Sequence, residues 1–522
     1  MFRRHFKIVI LLALLLSAVV GCRGMFSGGV NGATAAGSKI VVRKGDNLQS
    51  AINRAQPGDT IEVEADAVFK GPITLPAKTG DAVVTIQSSR VSELPAGRVN
   101  PSHAPLMPKI VAVSTQPAIK TAPRAHHYRL VGIEVSPADE TTAAADLIKL
   151  GDGSDAQNSL DLVPTDLALD RCYIHGHPQQ DVKRGIALNS GDTSITNSYI
   201  SDIHGVGYDT QAICGWNGPG PYKILNNYLE AAGENVMFGG ADPAIQDLIP
   251  TDIKIRGNYF FKPLTWKTDD PSYAGKHWTI KNLFETKNAQ KVEVDGNLFE
   301  NCWKDAQVGF AILLKSNNQD NRCPWCVTRD VTFSNNIVRN VEHGVNILGY
   351  DNGKVSGQAS QLRLVNNLWE NVEGMWFQGT EGAKDVLIEH NTHLQKSGSI
   401  MSLYGKPTEG FVYRYNLTLR TGYGVKGDGT GEGVVALTKF STRYEFVKNV
   451  IVGAKAGEYP PDNFYPASVE QVGFVDFAKG NYRLRPSSRF KKLAEGKDIG
   501  VDHDALGPAL EAKTGEKPLP ID

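Results

Sequence analysis

No charge of one sign dominates this 522-residue chain: 55 lysines and arginines stand against 56 aspartates and glutamates, a formal net charge of −1. Nucleic-acid binders usually carry a basic excess, so the balance argues against a phosphate-binding surface. Cysteine is scarce, at six residues, and only Cys323 and Cys326 are closely paired, as CPWC. No second CxxC or histidine pair completes a zinc site around them, so they read as a short disulfide staple or as two free thiols. A good transmembrane span is also missing. The apolar run Ile8–Val20 is 13 residues long, short of the ~20 that a bilayer needs.

That run follows the basic segment MFRRHFK and leads into Val19-Val20-Gly21-Cys22, the layout of an export signal. Its end resembles a bacterial lipobox, in which the cysteine is lipidated and becomes the mature N-terminus. The reading is therefore a signal over 1–21, a lipid on Cys22, and a flexible tether of small residues over 22–37. An ordinary secretory signal with a chance cysteine is the alternative. Either way the chain is exported; the membrane is touched only through the anchor, and the protein is expected to act as a monomer at the cell envelope.

Glycine, by contrast, is plentiful at 53 residues, and a short pattern recurs. The bend in VEVDGNLFE, centred on Asn297, returns as ILNNYLE at Asn227, IRGNYFF at Asn258, FSNNIVR at Asn336 and LVNNLWE at Asn367. It continues at Asn391, Asn416 and Asn449, and earlier with substitutions at Cys172 and Ser198. The intervals run 26, 29, 31, 39, 39, 31, 24, 25 and 33 residues. A floor near the shortest interval with variable excess describes one structural unit carrying loop insertions. Short β segments repeated in this way predict a solenoid, because one rung cannot bury its apolar face alone and stacking makes a continuous core. Asparagines at one turn position then hydrogen-bond along the stack. The glycosylation sequon at Asn416 coincides with this ladder and is discounted.

The chain resembles right-handed parallel β-helix proteins of the pectin-lyase-like superfamily over roughly 38–504. The asparagine turns carry the resemblance, with the opening GDNLQSAINRAQPGDTIEVEADAVFKGPITL. The fold implied is all-β: a single-stranded right-handed parallel β-helix of ten or more rungs over 38–505, a C-terminal tail over 506–522, and an N-terminal capping helix. That helix would place Leu48, Ile52 and Ala55 on one face and cover the aggregating open edge. The N-terminal part is most like the chondroitinase B and alginate lyase group. Known motif sets are nevertheless missing: neither Gly-His-Gly nor Arg-Ile-Lys occurs, and the nearest approach to Arg-x-Pro-x-x-Arg, at 484–489, begins with leucine.

Counting back from the turn asparagines places Lys287 in register with Asn217 and Gln378, with Lys315 joining them. Two residues earlier stand Glu285, Trp376 and Leu313. On this reading Glu285 and Lys287 face outward while Phe284, Thr286 and Phe377 face the core. The insertions 245–250, 265–277 and 316–329 cluster around these rungs, and loops of that length on a rigid scaffold usually carry function.

The resemblance implies a polysaccharide substrate. A lyase on an acidic glycan needs a counter-charge for the uronate, a base and a proton donor. Lys281, Lys287, Lys315 and His277 can supply base or counter-charge, and Ca²⁺ on Asp209 and Asp242 can neutralise the uronate. A hydrolase needs two carboxylates, for which Glu234, Asp242, Glu285 and Asp305 are candidates. Trp216, Trp278 and Trp376 can offer stacking platforms. Lyase chemistry leads, hydrolysis follows, and a glycan-binding scaffold without catalysis is the alternative from another class. His175, His177, His343 and His393 are expected as turn and surface residues.

Overall fold

The computed structural model describes residues 37–520. The expected export signal, the expected lipidation at Cys22 and nearly all of the expected tether lie outside the described residues.

Three long parallel sheets contain almost every strand. The first has 14 strands among the described residues, from Lys39–Val42 to Tyr444–Val447; the second has 13, from Val68–Lys70 to Val450–Val452; the third has 12, from Ile73–Leu75 to Tyr423–Gly427. The chain visits them in rotation. Thr165–Asp170 lies in the first, Tyr173–His175 in the second, Val182–Leu188 in the third, and Gly191–Thr196 returns to the first one rung along. This is the right-handed parallel β-helix.

The asparagine ladder is its spine. Asn297 Nδ2 donates to Asn336 Oδ1 at 3.0 Å and to Ile255 O at 2.9 Å, while its Oδ1 accepts from Asn258 N and Asn258 Nδ2, both at 2.9 Å. The same pattern links Asn227, Asn258, Asn297, Asn336, Asn367, Asn391, Asn416 and Asn449, and extends one step further to Asn463. Ser198 joins by donating its backbone N–H to Asn227 Oδ1, and its Oγ in turn accepts from Cys172 N. The residue before each asparagine turns the chain with positive φ, which explains Gly257 and Gly296 there; Asn226, Asn335 and Asn366 take the same conformation at modest cost.

Inside, apolar side chains stack at strand spacing. Phe260, Phe299, Phe333 and Trp369 form a column with successive centroids 4.2, 5.4 and 5.9 Å apart. The expected early helix forms at Leu48–Arg54, with Asn47 accepting from Ser50 N, and it buries Leu48, Ala51 and Ile52 in the same core. Within the C-terminal tail, Gly507–Glu511 form a short helix. Leu506, Ala509 and Ala512 pack on Tyr228, Tyr259 and Leu298 of the second sheet, and Arg98 donates to Lys513 O at 2.7 Å. Cys323 and Cys326 are disulfide-bonded, which decides between the two readings of CPWC. His393 departs from its expected surface place. It is fully buried between Trp376, Tyr413 and Thr418, and burial pushes its pKa down to about 3.

Candidate functional site

The outer face of the third sheet carries two columns of side chains in lateral register. One runs Asp146, Arg184, Gln211, Glu234; the other runs Met237, Glu285, Leu313, Asn346, Gln378, Ser402, Lys426. Glu234, at the head of strand Glu234–Phe238, and Glu285, in strand Phe284–Thr286, therefore stand on adjacent rungs. Each is 1% exposed. Phe284 and Thr286 face the core as expected, and Glu285 does project from the outer side. The wall around it closes it from solvent: Lys281, Lys287 and Lys315 lie over the carboxylates with side chains only 17–22% exposed.

The contacts differ for the two acids. Glu234 Oε2 accepts from Gln211 Nε2 at 2.8 Å, and its Oε1 is 3.9 Å from Lys281 Nζ, which prefers Asp209 Oδ1 at 2.5 Å. Glu285 Oε1 has Lys315 Nζ at 3.5 Å and Lys287 Nζ at 3.9 Å, while Oε2 accepts from Asn282 Nδ2 at 3.1 Å. Burial pushes the Glu234 pKa up to about 7, reinforced by Glu285 and Asp209 against the opposing Lys281 and Gln211. Burial also acts on Glu285, but Lys287 and Lys315, with Asn282, outweigh it and hold that pKa below the usual value. Lys287 is desolvated, which lowers its pKa, yet Glu285 and Glu234 more than offset this and keep it raised. One acid thus keeps its proton up to about pH 7, beside an ionised partner and a lysine whose pKa is raised.

Several expected members are elsewhere. Trp376 is fully buried: it sits one residue before Phe377, beside Gly344 at the inner corner of the rung, and stacks on His393 with centroids 3.8 Å apart. It is not in the Glu285 column, and Gln378 is. The Lys287 column holds Lys315, and one rung further Leu348, then Thr380 and Tyr404. Asn217 is buried beyond the end of its strand, donating to Asp152 O and Gln157 O. Counting back fails here because the loop from the third sheet to the next first-sheet strand varies in length. Trp278 is 2% exposed, stacked on His204 at 3.7 Å and roofed by Lys276, so it offers no open platform. Trp216 stays partly exposed under the Arg184 guanidinium, 4.8 Å from its ring.

The two metal candidates do not meet. Asp242 is buried and its carboxylate accepts three backbone N–H groups, from Gln319, Asp320 and Arg322, at 2.7–2.9 Å. Asp209 pairs with Lys281. Among the described residues no group of three or more His, Cys, Asp or Glu is placed to hold a metal ion. His277 is well exposed, its Nε2 2.6 Å from Asp305 Oδ1, and Asp305 Oδ2 accepts from Ile280 N. This pair fastens the 265–277 insertion at the margin of the site.

Arg184, Gln211 and Asn282 belong to the site and escaped the sequence reading. Arg184 donates to Gln211 Oε1 at 3.1 Å and to Asp146 Oδ1 at 3.2 Å, completing a polar row into Glu234. A strand-by-strand register of the third sheet, independent of the turn asparagines, is the signal that finds them. A surface hollow of ~960 Å³ lies away from this row, on the outer face of the first sheet between Arg363 and Pro460.

No family model and no curated protein matches this chain. Among solved structures it is similar to pectate lyase Pel9A, at 12% identity over 89% of this chain and 95% of that one, with a TM-score of 0.39. It is similar also to the PL6 family alginate lyase AlyGC, at 11% identity, 90% and 58% coverage and TM-score 0.40. A family 28 exopolygalacturonase from Yersinia enterocolitica follows, at 10% identity, 82% and 79% coverage and TM-score 0.32. Superpositions this loose carry no argument about activity. The fold rests on the strands and the ladder, and they define a parallel β-helix with a charged site on its third sheet.

Proposed function

We propose that this protein is an exported carbohydrate-active enzyme that cleaves a polysaccharide at Glu234 and Glu285, with glycoside hydrolysis the better-supported reaction. The observation that carries this reading is the opposite perturbation of two buried carboxylates on adjacent rungs. Pairs whose environments push their pKa values apart supply an acid and a base together. Glu234 delivers its proton to the leaving oxygen as the glycosidic bond breaks. Glu285, ionised, either takes a proton from the attacking water or bonds the anomeric carbon until water displaces it. Substrate enters from the side of Lys281, Lys287 and Lys315, whose long stems form the roof over the acids.

These lysines also favour an anionic sugar. Lys287 and Lys315 converge on one carboxylate, the counter-charge that β-elimination of a uronate requires, so lyase chemistry with Glu285 as base is the second reading. The raised pKa of Lys287 speaks against that lysine as the base. The disulfide supports an oxidising compartment, in keeping with export and a lipid on Cys22. The test is a panel of neutral and uronate glycans. New reducing ends without ultraviolet absorbance identify a hydrolase, an unsaturated-sugar chromophore identifies a lyase, and affinity without either product overturns catalysis.

A further inference from the structure

Among the described residues Lys262 is the one fully buried lysine, and it pairs with no carboxylate there. A buried ammonium normally takes a carboxylate partner or gives up its proton. Lys262 instead reaches back one rung into a cup of oxygens. Its Nζ donates to Ala231 O at 2.6 Å, Ala232 O at 2.9 Å, Gly233 O at 2.8 Å and Asn235 Oδ1 at 3.1 Å. Four acceptors surround three N–H groups, so every donor is used.

Three consecutive carbonyls turned toward one point repel one another, and an apolar side chain among them would leave all three unsatisfied. A cation at the centre removes the repulsion, as carbonyl rings do for ions in channel filters. The walls of the cup are fastened as well. Asn235 Nδ2 donates to Leu229 O at 2.7 Å and to Phe261 O at 3.0 Å, and Asn301 Nδ2 donates to Lys262 O at 2.9 Å.

The cup frames one of the two acids. Gly233 and Asn235 are the chain neighbours of Glu234, and Ala232 O accepts a second bond, from Lys281 N at 3.1 Å. Lys281 is the lysine shared between Asp209 and Glu234. One ammonium thus holds the backbone on both sides of the acid and the backbone of the lysine above it. We infer that residues 231–235 form a monovalent-cation site that the chain fills with its own Lys262 ammonium, and that this tethered cation makes Lys262 a positioning residue for Glu234. The positioning role rests on the reading of Glu234 as the acid; the cation site does not.

The test removes the tether and supplies the ion. Lys262→Ala deletes Cγ to Nζ, the atoms of a propylammonium ion, whereas Lys262→Met fills the same space without charge. Both variants should lose several degrees of thermal midpoint. Propylammonium should restore Lys262→Ala, with the midpoint climbing as the logarithm of ion concentration, and ammonium or potassium should do so in part. Propanol should not, and Lys262→Met should gain from none of them. On a glycan that the wild type cleaves, kcat of Lys262→Ala should fall about 10- to 100-fold with KM unchanged, the scale of a small misplacement, and recover in propylammonium.

The wild type gives an independent readout. Burial lowers the Lys262 pKa to about 8 against Cys302, Glu234 and Glu230, so the group is charged at neutral pH and should show one slowly exchanging lysine-ammonium signal by NMR. Absence of that signal, rescue by propanol, or equal rescue of Lys262→Met overturns the cation site. If neither variant folds alone, refolding in propylammonium replaces the midpoint: recovery of Lys262→Ala only upholds the site, and recovery of neither overturns it. Cation rescue of stability with kcat unchanged by the substitution keeps the site and overturns the positioning role. A wild type that cleaves no glycan overturns the cleaving pair, and the melting curves still decide the cation site.

Discussion

Lys315 Nζ lies 3.5 Å from Glu285 Oε1, although the two residues are separated by an entire turn of the helix. Lateral pairing of Glu285 with Leu313 creates this contact, since Lys315 stands two residues further along the same strand and reaches back. A buried carboxylate would otherwise be driven toward neutrality. With Lys287 on the other side, it remains charged at a depth where charge acts strongly.

If Glu285 is the ionised partner, Glu285→Gln removes the charge and keeps the shape. Turnover should fall by at least about 100-fold, the usual worth of a positioned base or nucleophile. Binding of a glycan by the variant should persist. A variant retaining wild-type turnover while remaining folded removes Glu285 from the mechanism.

The pH profile should be bell-shaped. Activity needs Glu234 protonated, so it declines as pH rises through about 7, and it needs Glu285 ionised, so it declines again well into the acid range. The stability consequence has a definite sign. Between the ordinary glutamate pKa and about 7 the folded protein holds a proton on Glu234 that the unfolded chain has released, so this residue's contribution is lost as pH rises through that window. Glu234→Gln should therefore flatten the fall in thermal midpoint between pH 5 and 7, windows set on about the shifted and unshifted values. An unchanged slope rejects the raised pKa.

Asn297→Ala removes the side-chain links to Asn258 and Asn336 and leaves Asn258 N and Ile255 O without this partner, while Asn336 Oδ1 keeps the backbone N–H of residue 297. Orphaned buried groups cost about 1–3 kcal/mol each when unrelieved, so a loss of about 2–4 kcal/mol is expected. The urea midpoint reads it, with little change in m.

Trp376→Ala should lose stability and keep binding. Trp376 is core, and its truncation should cost about 3–5 kcal/mol while leaving glycan affinity alone. Melting curves and titrations on the variant give the answer.

Asp242→Ala should loosen the 316–329 insertion, because three backbone N–H groups lose one shared acceptor. Limited proteolysis between 316 and 329 should accelerate, and added Ca²⁺ should not reverse it. Rescue by Ca²⁺ would restore a metal role to this residue.

Much of the architecture was readable in advance because it is written in local pattern. Asn227, Asn258 and Asn297 recur where a turn must both expose and satisfy backbone groups, and such a requirement repeats with every rung. Glu285, Lys287 and Lys315 were legible for a related reason: charges in otherwise apolar strands are few. The partners were not. Arg184, Gln211 and Asn282 look like ordinary polar residues in sequence, and Trp376 looks like a surface platform until it is found buried beside Gly344 of the neighbouring rung, stacked on His393.

What the amino-acid sequence determined by itself is the repeat: the inward apolar face, the asparagine position, and the lengths of chain between. Each depends on neighbours a few residues away. The site was decided by tertiary structure, because its contacts join residues 23 to 78 positions apart, as in Gln211 beside Glu234 and Asp242 under Asp320. Insertions of unequal length shift that pairing without disturbing the repeat. The burial that raises the Glu234 pKa and the lysines that keep Glu285 ionised come together only once the rungs are stacked.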